Sequence, residues 1–122
     1  MNWGAVGAAL MGVGVIIGAF GAHGLRDRLD AYSMTIYERA VFYHFVNALG
    51  ILVVSSLAKL TDSQRNWVCG LLLLGVVIFS GSLYALAVSG VRLLGAITPF
   101  GGVAFIAAWF LLAWYLYYSR HS

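Results

Sequence analysis

The sequence predicts an all-α integral membrane protein: four transmembrane helices forming a single domain over residues 1–122, with a short interfacial helix between the first and second. Three observations predict it. The chain is 62% hydrophobic and 9% charged with one proline, where a soluble domain carries about a quarter charged residues. Its charges are gathered into short segments and do not decorate amphipathic faces. Between those segments lie apolar runs of about 19 residues or more, which at about 1.5 Å rise per residue match the hydrocarbon core of a bilayer.

The formal charge of +3, from seven Lys and Arg against four Asp and Glu, is topogenic and lipid-facing in such a chain. No basic stripe exists, so a nucleic-acid partner is excluded. Cys69 is the only cysteine and forms no intramolecular disulfide. The first apolar run lacks a Lys/Arg-rich start and exceeds the h-region of about 7 to 15 residues in a signal peptide, so it reads as a span.

That first span covers Gly4 to Ala22. Gly4, Ala8 and Gly12 draw one line of small residues, and Gly14, Gly18 and Ala22 another, with Gly21 beside it, so close approach of neighbouring helices is expected there. His23 marks the lipid–water boundary. From His23 to Arg39 the chain carries Arg26, Asp27, Arg28, Asp30, Glu38 and Arg39, and must lie outside the core. Leu25, Leu29, Tyr32 and Ile36 recur at helical spacing opposite the charges, which is the pattern of a short interfacial helix.

The second span runs from Ala40 to Ala58, its helix beginning near Thr35. It bears the most polar wall: Arg39, Tyr43 and Asn47 fall at i, i+4 and i+8, with His44 beside Asn47, and that side should face protein. Lys59 to Asn66 is too short to do anything but join antiparallel neighbours, with Asp62 or Ser63 capping the next helix. The third span, Trp67 to Val91, holds Ser80, Gly81 and Ser82 near its middle, where hydroxyls bonded to helix carbonyls make a packing surface. Thr98 then Pro99 reads as N-cap and first helical residue of the fourth span, which runs through Gly101 and Gly102 to about Tyr118. Trp3, Trp67 and the tyrosines near Tyr118 form an aromatic belt on the side of both termini, with Arg120 and His121 beyond it. Arginines gather on the other side, and the orientation leans towards termini outside.

His23, Glu38 and His44 are the groups that would combine in a metal site or proton relay. Acids and histidines at span ends more commonly anchor helices in the headgroup layer, and no dense ligand motif accompanies them, so no metal and no cofactor is expected. Glu38 with Arg39 suits a lipid headgroup, but pairing of Arg39 with Asp27 or Asp30 is the favoured expectation. Ser80 and Ser82 lack a nucleophile elbow and an acid, and the glycines precede no Gly-Lys-Ser/Thr, so no catalytic residue is assigned.

Three motifs, Gly18-Ala19-Phe20-Gly21-Ala22-His23-Gly24-Leu25, Phe79-Ser80-Gly81-Ser82-Leu83-Tyr84 and Ile97-Thr98-Pro99-Phe100-Gly101-Gly102, resemble in order and spacing the domain of unknown function 423 family, whose animal relatives are called transmembrane protein 256. The resemblance implies a small multi-pass protein of the bacterial inner (cytoplasmic) membrane and brings no catalytic residue. The family commonly reads Tyr-Gln-x-x-His where this chain has Tyr43-His44-Phe45-Val46-Asn47. A mechanism dependent on that imidazole would have to use His44 or be absent here.

The function expected is that of a structural or accessory helix-packing subunit without catalysis, with membrane lipids and either further copies of itself or a larger membrane complex as partners. The alternative is a pathway for a small solute, a proton or a lipid through an oligomer. Glycine-lined contacts between short helices enclose little volume, which favours the first.

Overall fold

A computed structural model describes residues 1–119. Among them every regular element is helical: α1 (Trp3–Phe20), continued by one wide π turn (Gly21–Leu25), α2 (Ala31–Ser55), α3 (Asp62–Gly75), a second π turn (Val76–Ser80), α4 (Gly81–Ser89), a 3-10 turn (Arg92–Ala96) and α5 (Thr98–Ser119). Because each π turn continues the helix before it, the chain makes four long rods. Three of them, Trp3–Leu25, Asp62–Ser89 and Arg92–Ser119, are long and apolar enough to cross a membrane. The rod that is not among the three is α2, which carries Glu38, Arg39, His44 and Asn47.

The rods alternate in direction. Gly7 and Gly14 of α1 and Gly21 of the π turn after it approach Leu52, Phe45 and Tyr37 of α2. Cys69 and Ser80 approach Ile51 and Ala40, and Gly75 and Gly101 meet Phe105 and Phe79, so each partner's number falls as the other's rises. The centre of the bundle is α2, with Ala40, Ala48, Ile51 and Val54 fully buried. One apolar cluster joins Ile51 and Val54 to Val68, Leu72, Phe105 and Ala108 towards the end that holds Trp3. A smaller one joins Leu25, Ile36, Tyr37 and Ala40 to Leu83 and Ala87 at the other.

The interfacial helix expected before α2 is replaced by a turn. Asp30 accepts a bond from the Ser33 backbone N–H at 2.7 Å and starts α2 at Ala31, four residues ahead of Thr35. The apolar stripe is therefore shared between two elements: Leu25 closes the π turn, Ile36 is buried in α2, and Tyr32 stays exposed. At the other end, Thr61 and Gln64 form a reciprocal capping box at the start of α3, the role expected of Asp62 or Ser63. Arg65 braces that connection by donating to Leu57 O, Leu60 O and Asp62. Thr98 does not cap α5. The 3-10 turn leads straight into the helix, Pro99 sits in its first turn, where a missing N–H costs nothing, and the Thr98 hydroxyl lies 2.6 Å from that of Ser82.

The line of α1 that lies deepest against α2 cuts across the two expected and shares Gly14 with one of them. Trp3, Gly7, Leu10, Gly14, Ile17 and Gly21 are the buried and half-buried residues of the seam, alternating by four and three, the 3.5-residue period of helices packed side by side at a small angle. A side chain added at Gly7 would stand 3.0 Å from the Leu52 backbone nitrogen, and one at Gly14 2.9 Å from the Phe45 ring. Gly18 has ordinary clearance, 3.6 Å to Val41, while Gly12 and Gly81 have nothing within 4 Å. Ala22 is exposed. Gly101 packs directly on the Phe79 backbone where α5 crosses the second π turn, and a side chain added at Gly102 would stand 3.7 Å from the Phe79 ring.

Gly14→Leu should insert normally but lose about 1 to 3 kcal/mol to overpacking, read as earlier melting in detergent, whereas Gly12→Leu on the same helix and Gly81→Leu should melt like the parent. The Ser33 backbone N–H holds the exposed Asp30 carboxyl below its ordinary value of 3.8. That cap is fully present above 3.8 and is lost as pH falls through the lower folded value. Asp30→Asn should abolish this acid-dependent part of a pH–melting profile.

Candidate functional site

The polar residues expected to share one wall of α2 separate in the structure into a buried group and a surface group. Glu38 and Arg39 are exposed, as are Tyr43, expected to face protein, and His23 in the π turn that follows α1. His44 and Asn47 are buried, with 3% and 2% of their surface accessible. His23 and His44 therefore belong to different levels of the bundle. Among the described residues no three His, Cys, Asp or Glu side chains come together as metal ligands. Arg39 pairs with neither Asp27 nor Asp30, and the single ion pair among the described residues is Arg65 with Asp62.

His44 is held from both sides. Its Nε2 lies 2.7 Å from the Leu10 carbonyl of α1 and its Nδ1 lies 2.8 Å from the Tyr84 hydroxyl of α4. A carbonyl only accepts, so Nε2 carries a hydrogen, and in the tautomer with Nδ1 bare that nitrogen accepts the Tyr84 O–H. Two turns away along the seam, Tyr37 donates its hydroxyl to the Ile17 carbonyl at 2.6 Å, and its ring meets that of Tyr84 with centroids 5.5 Å apart. Leu10 and Ile17 are seven residues apart, as are Tyr37 and His44. The two α2 side chains thus reach matching steps of the antiparallel seam.

Glycine makes those steps accessible. Helical side chains lean back over the preceding turn, so the residue at i+4 covers the carbonyl of residue i. Here the covering positions are Gly14 over Leu10 and Gly21 over Ile17, and with no side chain there each carbonyl keeps a lone pair open to α2. The bond to Leu10 depends on the absence of a side chain at Gly14 as much as on the imidazole.

Asn47 ties α2 to the opposite neighbour. Its amide donates to the Tyr43 carbonyl of its own helix at 2.8 Å and accepts from the Trp109 indole of α5 at 2.9 Å. The Tyr43 ring, exposed on the flank of the bundle, has its centroid 4.8 Å from that of Phe79 and lies nearly parallel to Phe105. Ser80, brought round by the second π turn, donates to the Ala40 carbonyl of α2 at 2.8 Å, and Ser82 donates to Phe79 O while its oxygen meets Thr98. Trp3 donates to Asn66 at 2.7 Å and fastens the start of α1 to α3. Sequence reasoning does not single out Trp109, Tyr84 or Leu10: their partners lie 62, 40 and 34 residues away, and an indole or a carbonyl in an apolar run carries no local mark of such a bond.

A helical chain with three membrane-length apolar rods, whose buried polar side chains are turned on one another, is a multi-helix membrane protein. The model of the family described as protein of unknown function DUF423 matches residues 17–102, and the chain belongs to that family. It is 51% identical over 104 residues to a UPF0382 membrane protein of Staphylococcus epidermidis (strain ATCC 12228 / FDA PCI 1200), covering 85% of this chain and 84% of that one. It is 46% identical over 106 residues to the UPF0382 membrane protein YwdK of Bacillus subtilis (strain 168), covering 85% of each. No solved structure matches it significantly.

Replacing Asn47 by Leu removes the bond to Trp109 and should cost about 0.6 to 1.7 kcal/mol, the range of interhelical bonds in membranes, without abolishing insertion. Urea or thermal unfolding of the purified variant in detergent reads this directly. His44→Leu should cost more, because it removes two interhelical bonds and leaves the Tyr84 hydroxyl without its acceptor.

Proposed function

We propose that this chain is a four-crossing packing subunit of the bacterial cytoplasmic membrane, α2 being the fourth crossing, which has no catalysis of its own and assembles with further copies or with a larger membrane complex. The observation that carries the reading is the fate of the polar groups on α2. Inside the bundle, His44, Asn47 and the Ala40 carbonyl all bond to α1, α5 or the rod formed by α3 and α4, which is what lets a polar helix lie among apolar ones. These bonds work as cross-links.

The alternative, a proton or solute pathway, is less well supported by the same geometry. A relay through His44 would begin at Tyr84 and end at the Leu10 carbonyl, which accepts a hydrogen bond but passes no proton on. The residues that remain open, Arg26, Arg28, Arg39, Glu38 and Arg92, are exposed at one end of the bundle, where a lipid surface or a partner would meet them. The termini then share the other side, with an aromatic belt of exposed Trp67, Trp114, Tyr117 and Tyr118.

Reporters fused at the N- and C-termini should report the same compartment, and a cysteine at Arg28 should be labelled only from the cytoplasm, given the arginines gathered there. Opposite reports would remove the fourth crossing. Purification from native membrane with mild detergent should recover the chain in an assembly heavier than one copy. A monomer that moves protons or solute across vesicles at a rate lost in His44→Leu would replace the packing reading by the pathway.

A further inference from the structure

A groove of about 210 Å³ opens between the end of α1 and the first turns of α2. Small and apolar residues line it, Gly18, Ala22, Met34 and Val41, together with two opposite charges, Arg26 and Glu38. Both charges are exposed. They share the groove without pairing, since the one ion pair among the described residues is Arg65 with Asp62. The groove therefore holds a separated cation and anion beside an apolar wall.

We propose that it binds one phospholipid whose headgroup carries both a phosphate and a primary ammonium, with the phosphate on Arg26, the ammonium on Glu38 and an acyl chain along Gly18 and Val41. Two separated, uncompensated charges are complementary to a headgroup that carries the same two charges in reverse. Depth selects an amphiphile over a solute. The apolar lining belongs to the last turns of the charge-free run of α1 and to the α2 turns on either side of Glu38, with Arg26 one turn beyond Ala22, so an acyl chain and a charged headgroup can lie along one groove. Its width comes from missing side chains: even a methyl group at Gly18 would only touch Val41, at 3.6 Å. Tyr37, which also lines the groove, is a fixed wall because its hydroxyl is engaged by the Ile17 carbonyl. A second groove at this end holds Asp30 and Arg92, but there one carboxylate oxygen is already bonded by the Ser33 backbone N–H, which commits that side chain to capping α2. The proposal does not rest on the packing reading and holds equally for a pathway protein.

The test is native mass spectrometry of the full chain in detergent with equal amounts of phosphatidylethanolamine, phosphatidylglycerol and phosphatidylcholine. Phosphatidylethanolamine should be retained as a single copy. Arg26→Gln and Glu38→Gln should each lower its retention about fivefold, Ala22→Leu should lower it by filling the groove without touching a charge, and Arg92→Gln should leave it unchanged. Equal retention of phosphatidylglycerol, or loss in Arg26→Gln but not in Glu38→Gln, would reduce the site to a cationic patch and overturn the proposal. So would equal retention of all three lipids, which marks an unselective lipid annulus, and so would displacement by soluble phosphoethanolamine at the lipid's own concentration, which marks a site for a free solute.

Discussion

The arrangement depends on two backbone carbonyls of α1, those of Leu10 and Ile17, being reachable by side chains of α2. A transmembrane helix uses its carbonyls internally, and lipid tails compete as well as leucine does for an apolar face, so hydrophobicity alone does not choose which faces meet. Glycine at positions 14 and 21 changes this by uncovering the carbonyls one turn behind. His44 and Tyr37 then supply donors at the matching spacing, and both rings lean on Tyr84. One seam thus fixes the register of α1 on α2 and places α4 against the pair. On the far side of α2, Asn47 and Trp109 fix α5 by the same kind of bond.

Much of this is legible in outline. Charge-free runs and the segments between them locate the rods, because in a membrane the position of a charge is itself structural information. The spacing of Asn47 with Tyr43 and His44 puts it on a protein-facing side, and it is buried. The packing face of α1 is not legible. Gly4, Gly7, Ala8, Gly12, Gly14, Gly18, Gly21 and Ala22 offer small-residue lines at several phases, and a helix apolar all round provides no contrast by which to choose among them. The choice falls to the partner: Gly7, Gly14 and Gly21 win because Leu52, Phe45 and Tyr37 stand opposite them.

Gly81 and the expected interfacial helix show two other limits. Serines flanking a glycine read as a packing site at ordinary helical pitch, but the π turn over Val76–Ser80 adds a residue and rotates α4 relative to α3. Ser80 is thereby carried onto the Ala40 carbonyl while Gly81 faces open space. The stripe of Leu25, Leu29, Tyr32 and Ile36 has helical spacing, yet Asp30 bonds the Ser33 N–H and restarts the chain between them. A local cap outweighs a periodicity that spans it, because the cap satisfies a backbone donor while the stripe only suggests a face.

The asparagine at position 47, where the resemblance implies a histidine, takes on a physical meaning in this setting. Asn47 accepts from the Trp109 indole and donates back to the Tyr43 carbonyl through the two ends of one amide. The chain instead carries its buried imidazole at 44, turned towards α1 and α4. Moving the ring by three residues moves it to a different pair of neighbours, so His44 does not inherit the surroundings of position 47. What the two positions share is the requirement that a polar side chain at this depth be bonded on both sides, and each meets it with a different combination of helices.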